Sequence, residues 1–314
     1  MNIAFVYPGQ GSQVTGMAQD LYNNFPKAKE ILYEVCDVLK QDLKKIMFEG
    51  PTDQLILTEN TQPALLTASL MAQKVLENEL GKPINELVKA VAGHSLGEYS
   101  ALTAAGCFAL KDSVTLVKLR GNAMQSAVPA GEGAMAAIIG LDMLQIEKLI
   151  QSLTSTSEVA QIANDNSPGQ IVISGHLNAI EWLITKAKEM GAKRALLLPV
   201  SAPFHSSLML PAANIMDQAL RTVEIMPMKA DCYANVTAKV CNQSQIHNLL
   251  VQQITERVRW VELITNMFNS GINNFVEIGT GKVLSGLIKR IVPEATVYNF
   301  GKADELDAIK HLWA

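Results

Sequence analysis

Aromatic side chains are scarce in this chain of 314 residues, where phenylalanine, tyrosine and tryptophan together make up 5%. Hydrophobic residues nonetheless account for 48% of the chain, so we expect a large core that is mostly aliphatic. The 13 methionines help to fill it, because their unbranched side chains adapt to irregular spaces. This length and composition predict one large globular domain or two unequal ones.

Positive charge is not in excess, and long apolar runs are missing. The net charge is −4, which argues against nucleic-acid binders that rely on bulk positive charge. Apolar stretches stay short of the roughly 18 residues that a transmembrane helix needs. Met1 to Tyr7 lacks the basic segment of a secretory signal and soon reaches Pro8-Gly9. We therefore expect a cytoplasmic protein that binds neither nucleic acid nor membranes.

Cysteine is rare and scattered, at Cys36, Cys107, Cys232 and Cys241. No C-x-x-C spacing occurs, which argues against a metal site. The pattern predicts reduced thiols and no bound metal.

Glycines flank one serine in a pattern that predicts chemistry. Residues 93–97 read G-H-S-L-G, the G-x-S-x-G pattern of a nucleophile elbow. Leu87 to Ala92, just before it, is apolar enough for a buried strand, and a helix is expected after it. Free N–H groups and the helix dipole at such a turn favour a developing negative charge. We predict that Ser95 is a nucleophile and that the Leu96 N–H donates to an oxyanion.

Strand-like and helix-like segments alternate along the chain. This alternation predicts an α/β fold, with a mostly parallel sheet covered on both faces as in the α/β-hydrolases. Residues 129–200 depart from it with the order β-α-β-β-α-β, the split unit of a ferredoxin-like fold. We expect them to form a subdomain inserted into a large catalytic domain made of residues 1–128 and 201–314.

A serine nucleophile needs a base, and the chain has five histidines. His94 adjoins Ser95, but neighbouring residues on an elbow usually point apart. His205 follows Ala202-Pro203-Phe204 in a break between elements, where a loop can present it to a site. We therefore predict that His205 is the base.

Six short motifs follow one another along the chain in an informative order. They are Gly9-Gln10-Gly11-Ser12-Gln13, Gly93-His94-Ser95-Leu96-Gly97-Glu98-Tyr99, Arg120-Gly121, Phe204-His205, Asn235-Val236-Thr237 and Val258-Arg259-Trp260. Together, and over Ile3 to about Phe300, they resemble the malonyl-CoA:acyl carrier protein transacylases. The acyltransferase domains of polyketide synthases are similar. The resemblance also implies the inserted ferredoxin-like subdomain.

The resemblance implies a Ser-His dyad without an aspartate. Ser95 would be the nucleophile, and His205 the general base and then the general acid for the departing thiol. A main-chain carbonyl near Gln253 would orient the imidazole, with the adjacent Gln252 as the alternative.

The resemblance also implies how the acyl group is held. The main-chain N–H groups of Gln10 and Leu96 would form the oxyanion hole. Arg120 would pair bidentately with the free carboxylate of malonate, which suits its planar guanidinium. Acetyl-CoA would leave this buried arginine unpaired, at a cost that implies selectivity. Phe204 directly before His205 matches the malonyl-type acyltransferases.

The implied activity is a ping-pong transfer that needs no cofactor. Malonyl-CoA would acylate Ser95, and the phosphopantetheine thiol of acyl carrier protein would then take the malonyl group for type II fatty acid synthesis. We expect a monomer. Two groups of basic side chains are candidates for binding the acidic carrier, the first at Lys186, Lys188, Lys193 and Arg194 and the second at Lys282, Lys289 and Arg290.

Three other functions remain open at this point. A serine hydrolase or thioesterase would share the elbow but would need an acid between Ser95 and His205 in chain order, such as Asp165. An acyltransferase acting in trans on a polyketide synthase would share the chemistry and differ in its carrier. A non-catalytic interaction protein would not need the serine, histidine and arginine together.

Overall fold

A computed structural model describes residues 2–153, 157–200 and 202–314 of the chain. The strands are β1 Ile3–Tyr7, β2 Ala90–Gly93, β3 Gly133–Ile139, β4 Ala160–Ser167, β5 Gln170–His176, β6 Arg194–Leu197, β7 Asp231–Tyr233, β8 Val240–Cys241, β9 Asn274–Ile278 and β10 Thr296–Phe300. The α-helices are α1 Gln19–Asn24, α2 Pro26–Leu39, α3 Leu43–Phe48, α4 Thr52–Ile56, α5 Thr58–Leu80, α6 Ile84–Leu87, α7 Leu96–Ala104, α8 Leu110–Ser126, α9 Met143–Gln151, α10 Leu177–Glu189, α11 Leu210–Leu220, α12 Ile246–Thr255, α13 Trp260–Asn269, α14 Val283–Ile291 and α15 Leu306–Lys310. Short 3₁₀ helices cover Ser207–Met209, Gln243–Gln245, Ala303–Glu305 and His311–Trp313.

The larger sheet has six strands in the order β10-β9-β1-β2-β7-β8. All neighbours are parallel except the short edge strand β8, which runs antiparallel to β7. Strands β1 and β2 lie side by side at its centre, so the loops at their carboxyl ends meet at one edge. That edge is where open α/β sheets bind their ligands.

Both faces of this sheet are buried, as its nearly continuous apolar strands predict. Along β1, Phe5 and Tyr7 pack into a core shared with α2, α5 and α8, whereas Ala4 and Val6 pack on the opposite face against α13 and α14. The period of two in a strand explains this division, because successive side chains point to opposite faces.

The second sheet has four antiparallel strands in the order β4-β5-β3-β6. With α9 between β3 and β4 and α10 between β5 and β6, this is the ferredoxin-like arrangement. Ile138, Ile146 and Ile180 belong to a separate core between this sheet and its helices. The predicted fold class is confirmed. The boundaries at 128/129 and 200/201 stay predictions, and residue 201 itself lies outside the described residues.

Local differences from the sequence predictions have simple causes. Apolar residues recur at helical spacing from Met17 to Glu49, which predicts helix there, and the structure divides this segment into three helices. Phe25, before Pro26, is extended at φ −126°, as a residue preceding proline tends to be, and Lys40 ends α2 in the left-handed region at φ 50°. Leu87 ends a helix, so the strand before the elbow begins at Ala90 rather than Leu87. Among the described helices, none is both long and apolar enough to cross a bilayer.

Candidate active site

Ser95 lies in the turn between β2 and α7, at a backbone conformation of φ 52° and ψ −110°. A side chain at Gly93 would place its Cβ 1.8 Å from the carbonyl oxygen of Gly97, and one at Gly97 would lie 2.1 Å from that of Tyr7. Both glycines are therefore required sterically, because strand and helix approach too closely for any Cβ. The strained serine is held by its surroundings, as is common at functional sites.

Asn235, in the loop after β7, stabilises this turn through two side-chain hydrogen bonds. Its Oδ1 accepts the Ser95 N–H at 2.7 Å, and its Nδ2 donates to the Gly93 carbonyl oxygen at 2.6 Å. The side chain is fully buried, so these bonds are protected from water. One amide thus satisfies two buried main-chain groups, one on each side of the sharp turn.

His205 is the histidine that reaches the serine, with Nε2 2.8 Å from Ser95 Oγ. Its Nδ1 lies 2.8 Å from the main-chain oxygen of Gln253 and 3.2 Å from that of Glu256. Carbonyl oxygens only accept hydrogen bonds, so Nδ1 carries the proton and Nε2 is left to accept from the serine hydroxyl. The structure thus brings the carbonyl of Gln253, rather than that of Gln252, to the ring.

The surroundings of His205 keep its imidazole neutral. Burial, followed by the charge of Arg120, lowers the pKa of His205 to about 3. At neutral pH the ring is therefore unprotonated and available to take a proton. Of the other histidines, His94 also lines the cavity at Ser95, but its ring contacts Asn166 and Trp260. The remaining three lie elsewhere: His176 accepts from the N–H of Val159, His247 pairs with Asp217 and His311 packs on Tyr298.

Arg120 projects from α8 to the serine and is 1% exposed. Its Nη2 donates to Ser95 Oγ at 3.3 Å and to Gln253 Oε1 at 2.8 Å, and its Nη1 donates to Gln62 Oε1 at 3.0 Å. Its Nε has no hydrogen-bond partner among the described residues. Burial lowers the pKa of the guanidinium, while the nearby Glu98 opposes that change.

Glu98, in the first turn of α7, is a buried carboxylic acid behind this arginine. It accepts hydrogen bonds from the Gln253 side chain and from the Asn235 N–H. Burial raises its pKa to about 7, and these bonds together with Arg120 oppose the rise. Gln253 also donates to the Ser95 carbonyl oxygen at 2.9 Å, so this one glutamine joins the elbow, the arginine and the histidine.

A cavity of about 110 Å³ opens above the serine between the two sheets. Its lining includes Gln10, Ser95, Leu96, Arg120 and His205. The main-chain N–H groups of Gln10 and Leu96 have no acceptor within the described parts of the chain. Two free N–H groups beside a nucleophile can stabilise an oxyanion.

The loop that carries Gln10 fits tightly against the elbow. A Cβ at Gly9 would lie 2.3 Å from the main-chain oxygen of His94. The glycine-rich sequence after β1 is thus explained by this close approach of two backbones.

The residues 4–298 match the acyl transferase domain family. The chain belongs to this family. A curated relative in Bacillus subtilis (strain 168), a malonyl CoA-acyl carrier protein transacylase, is 45% identical over 291 residues, which cover 92% of this chain and 90% of the relative. The crystal structure of an acyl-carrier-protein-S-malonyltransferase from Bartonella henselae has 49% sequence identity and a TM-score of 0.97. The match covers 100% of this chain and 99% of that one.

A second similar structure contains a partner. It holds a type II polyketide synthase acyl-carrier protein in complex with its malonyl-transacylase, at 40% identity and a TM-score of 0.95, with 99% of this chain and 100% of that one covered. These findings confirm the resemblance that the six motifs predict.

The hydrolase alternative requires an acid that this acyl transferase does not bring to its histidine. Asp165 lies in β4, where burial raises its pKa and the charge of Arg257 opposes that rise. The Nδ1 side of His205 faces main-chain carbonyls instead. Among the described residues, moreover, no three His, Cys, Asp or Glu side chains cluster as metal ligands would.

Sequence reasoning gave no role to three buried residues of the site. Asn235 stands in one of the six motifs, and Glu98 follows the elbow, so both could have been noticed there. Gln62 had no comparable signal, because a glutamine near a helix start is ordinary. Its contact also changes one expectation: Arg120 is already paired with Gln62 and Gln253 in the absence of a carboxylate.

Proposed function

We propose that this chain transfers a malonyl group from malonyl-CoA to the phosphopantetheine thiol of an acyl carrier protein. The observation that carries the proposal is the position of Arg120, whose Nη2 lies 3.3 Å from the Oγ of Ser95. A buried guanidinium beside a nucleophile suits an acyl group that carries a free carboxylate. The names of the relatives and similar structures support the same reaction.

In the first half-reaction, Ser95 Oγ attacks the thioester carbon of malonyl-CoA while its proton passes to His205 Nε2. The N–H groups of Gln10 and Leu96 stabilise the negative charge on the thioester oxygen. The tetrahedral intermediate then collapses, the carbon–sulfur bond breaks, and the CoA sulfur takes the proton from His205. The product is a malonyl ester of Ser95.

The second half-reaction repeats these steps with the carrier's thiol as the nucleophile. His205 takes the thiol proton, the sulfur attacks the ester, and Ser95 leaves with the proton restored to its hydroxyl. The carbonyl of Gln253 keeps the imidazole in the required tautomer throughout, since its hydrogen bond uses Nδ1 in both directions.

We assign carrier binding to the first group of basic side chains. Lys193 and Arg194 are exposed at the start of the edge strand β6, which continues through the exposed Leu196 and Leu197. The next residues, Leu198 and Val200, line the cavity. Positive charge and apolar surface thus lead directly to the site, as a negatively charged partner with a long thiol arm requires. Lys186 of the first group pairs with Glu189, and in the second group Lys282 pairs with Glu305 and Arg290 donates to Gln170.

A charge-reversal experiment separates the two groups. The Lys193→Glu, Arg194→Glu double variant should raise KM for the carrier while acylation by malonyl-CoA alone keeps its rate. The matched variant Lys282→Glu, Lys289→Glu should leave both unchanged. The reverse pattern would indicate that the carrier binds at the second group.

We further propose a cytoplasmic monomer. Support for the compartment comes from the four cysteines, all free thiols and three of them buried, as expected in a reducing environment. Light scattering of the purified chain tests the monomer, and fractionation of cells tests the compartment.

The central experiment measures intact mass after brief mixing with malonyl-CoA. A malonyl adduct that maps to Ser95, is missing in Ser95→Ala and is discharged by acyl carrier protein would support the proposal. Steady release of free malonate without an adduct would indicate a hydrolase. Discharge by carriers of the fatty acid and polyketide types, compared at equal concentration, identifies the pathway that the enzyme supplies.

A further inference from the structure

The guanidinium of Arg120 is paired before any substrate arrives. Of its five N–H donors, three are engaged by Gln62, Gln253 and Ser95. Gln62 and Gln253 each present a neutral amide oxygen, at 3.0 Å and 2.8 Å, on the two terminal nitrogens. Two acceptor oxygens on these nitrogens occupy the kind of position that a carboxylate would take.

The two glutamines differ in what else they do. Gln253 also bonds the Ser95 carbonyl and Glu98, and its main chain holds His205, so it belongs to the support of the whole site. Gln62, on α5, is 2% exposed, and its one hydrogen bond of the described set is to Arg120. It also lines the cavity above Ser95. Gln62 is therefore the partner whose effect on Arg120 can be isolated.

We propose that Gln62 is a specificity-determining residue, which stands in for the substrate carboxylate on Arg120 and so sets how strongly the enzyme prefers malonyl over acetyl groups. This inference rests on the proposed function. An acetyl group leaves Arg120 with its amide partners, whereas a malonyl carboxylate competes with them for the guanidinium. The amide oxygen is neutral and the carboxylate is charged, so the exchange favours malonyl by a limited amount.

The proposal predicts opposite effects for two substitutions at one position. Gln62→Met keeps the length of the side chain but removes the acceptor, so Nη1 loses its partner unless a carboxylate is bound. The malonyl-to-acetyl ratio should then rise by about fivefold or more. Gln62→Glu places a permanent carboxylate on Arg120. Malonyl loading should fall, and the ratio should drop by at least about tenfold.

The ratio is measured by intact mass after the enzyme meets an equimolar mixture of malonyl-CoA and acetyl-CoA. Gln73→Met is the matched control, because Gln73 is a buried glutamine on the same helix that bonds Tyr7 and the Ala104 carbonyl instead. It should cost stability without changing the ratio. A purely structural role for Gln62 would move the two Gln62 variants in the same direction and would overturn the proposal.

A fall in the malonyl-to-acetyl ratio of the Gln62→Met variant would also overturn the proposal, since Gln62 would then bind the malonyl carboxylate itself. Calorimetry with Ser95→Ala provides a second readout that needs no acylation. In that background, Gln62→Met should increase the affinity for malonyl-CoA relative to that for acetyl-CoA. An unchanged ratio of the two affinities would contradict the proposal. Formation of the malonyl adduct by the wild-type enzyme tests the proposed malonyl transfer by itself. A failure of the proposed function is therefore distinguishable from a failure of the proposal for Gln62.

Discussion

The Nδ1 atom of His205 lies 2.8 Å from the main-chain carbonyl oxygen of Gln253. A carbonyl fixes the tautomer of the ring as an aspartate would, but it adds no full negative charge. The pKa of His205 can therefore fall to about 3 under burial and the charge of Arg120. The imidazole is therefore neutral at every physiological pH, with Nε2 directed to the Oγ of Ser95.

Removing the imidazole should abolish most of the acylation. We expect His205→Ala to slow formation of the malonyl adduct by about 10² to 10⁴-fold, because no other described histidine reaches Ser95. Rapid quench followed by intact mass measures the rate. His247→Ala, which removes a half-buried histidine paired with Asp217, should keep the wild-type rate. A similar loss in both variants would contradict the assignment of the base.

The stability of the fold should fall sharply only below about pH 4.5. The pKa of His205 drops from 6.5 to about 3 on folding, so its contribution is complete above pH 6.5 and is lost towards pH 3, by about 1.4 kcal/mol per unit. The pKa of Glu98 rises from 4.5 to about 7 on folding, so its effect has the opposite sign between those values. The two effects oppose each other between pH 4.5 and 6.5.

Urea unfolding at several pH values checks this prediction. Below about pH 4.5, the unfolding free energy of His205→Asn should depend less steeply on pH than that of the wild type. The difference in slope should correspond to about one bound proton. Between pH 6.5 and 4.5 the variant should gain stability as the pH falls, because Glu98 is no longer opposed. Parallel pH curves for the two proteins would contradict the buried, neutral histidine.

Asn235 should matter both for stability and for acylation. Asn235→Ala leaves the Ser95 N–H and the Gly93 carbonyl without their buried partner, at a cost of about 1–3 kcal/mol. It should also slow adduct formation, since the elbow loses its brace. Asn299→Ala on the edge strand β10, which removes side-chain bonds to Glu277 and Ser285 outside the cavity lining, serves as the control. Its acylation rate should equal that of the wild type.

The elbow glycines should tolerate no side chain. Gly93→Ala would bring a Cβ to 1.8 Å from the Gly97 carbonyl oxygen, so we expect a loss of about 4 kcal/mol or more, or failure to fold. Gly286→Ala is the matched substitution in α14, where a Cβ meets nothing within 4 Å. It should stabilise the protein by about 0.5–1 kcal/mol, because alanine favours helices. Thermal unfolding of both variants measures the contrast.

Arg120→Ala should weaken malonyl loading far more than acetyl loading, so that the preference between the two collapses. Arg120→Lys should not restore it, because an ammonium lacks the planar fork that pairs bidentately with a carboxylate. The competition assay with malonyl-CoA and acetyl-CoA gives the ratio directly. A preference that survived in Arg120→Lys would mean that charge alone, and not the planar fork, selects the substrate.

The sequence by itself determined the architecture and the location of the elbow. Alternation of strands and helices, the βαββαβ order of residues 129–200 and the glycines around Ser95 are local patterns, and local backbone preferences give rise to them. The sequence also predicts strands over Asn274–Ile278 and Thr296–Phe300 and a helix over Val283–Ile291, and the structure has these bounds. The division of the helical pattern before Glu49 is only partly visible in the sequence, because Pro26 marks one break while nothing in the pattern marks the end of α2 at Lys40.

Only the tertiary structure decided how the site is supported. Ser95, Arg120, His205 and Gln253 lie far apart in the chain, and their meeting depends on how β2, α8 and α12 pack together. The choice of the Gln253 carbonyl over that of Gln252, and the pairing of Gln62 with Arg120, depend on distances of a few ångströms. Burial then sets the protonation of His205 and Glu98, because desolvation acts on the packed chain and leaves no mark in the sequence.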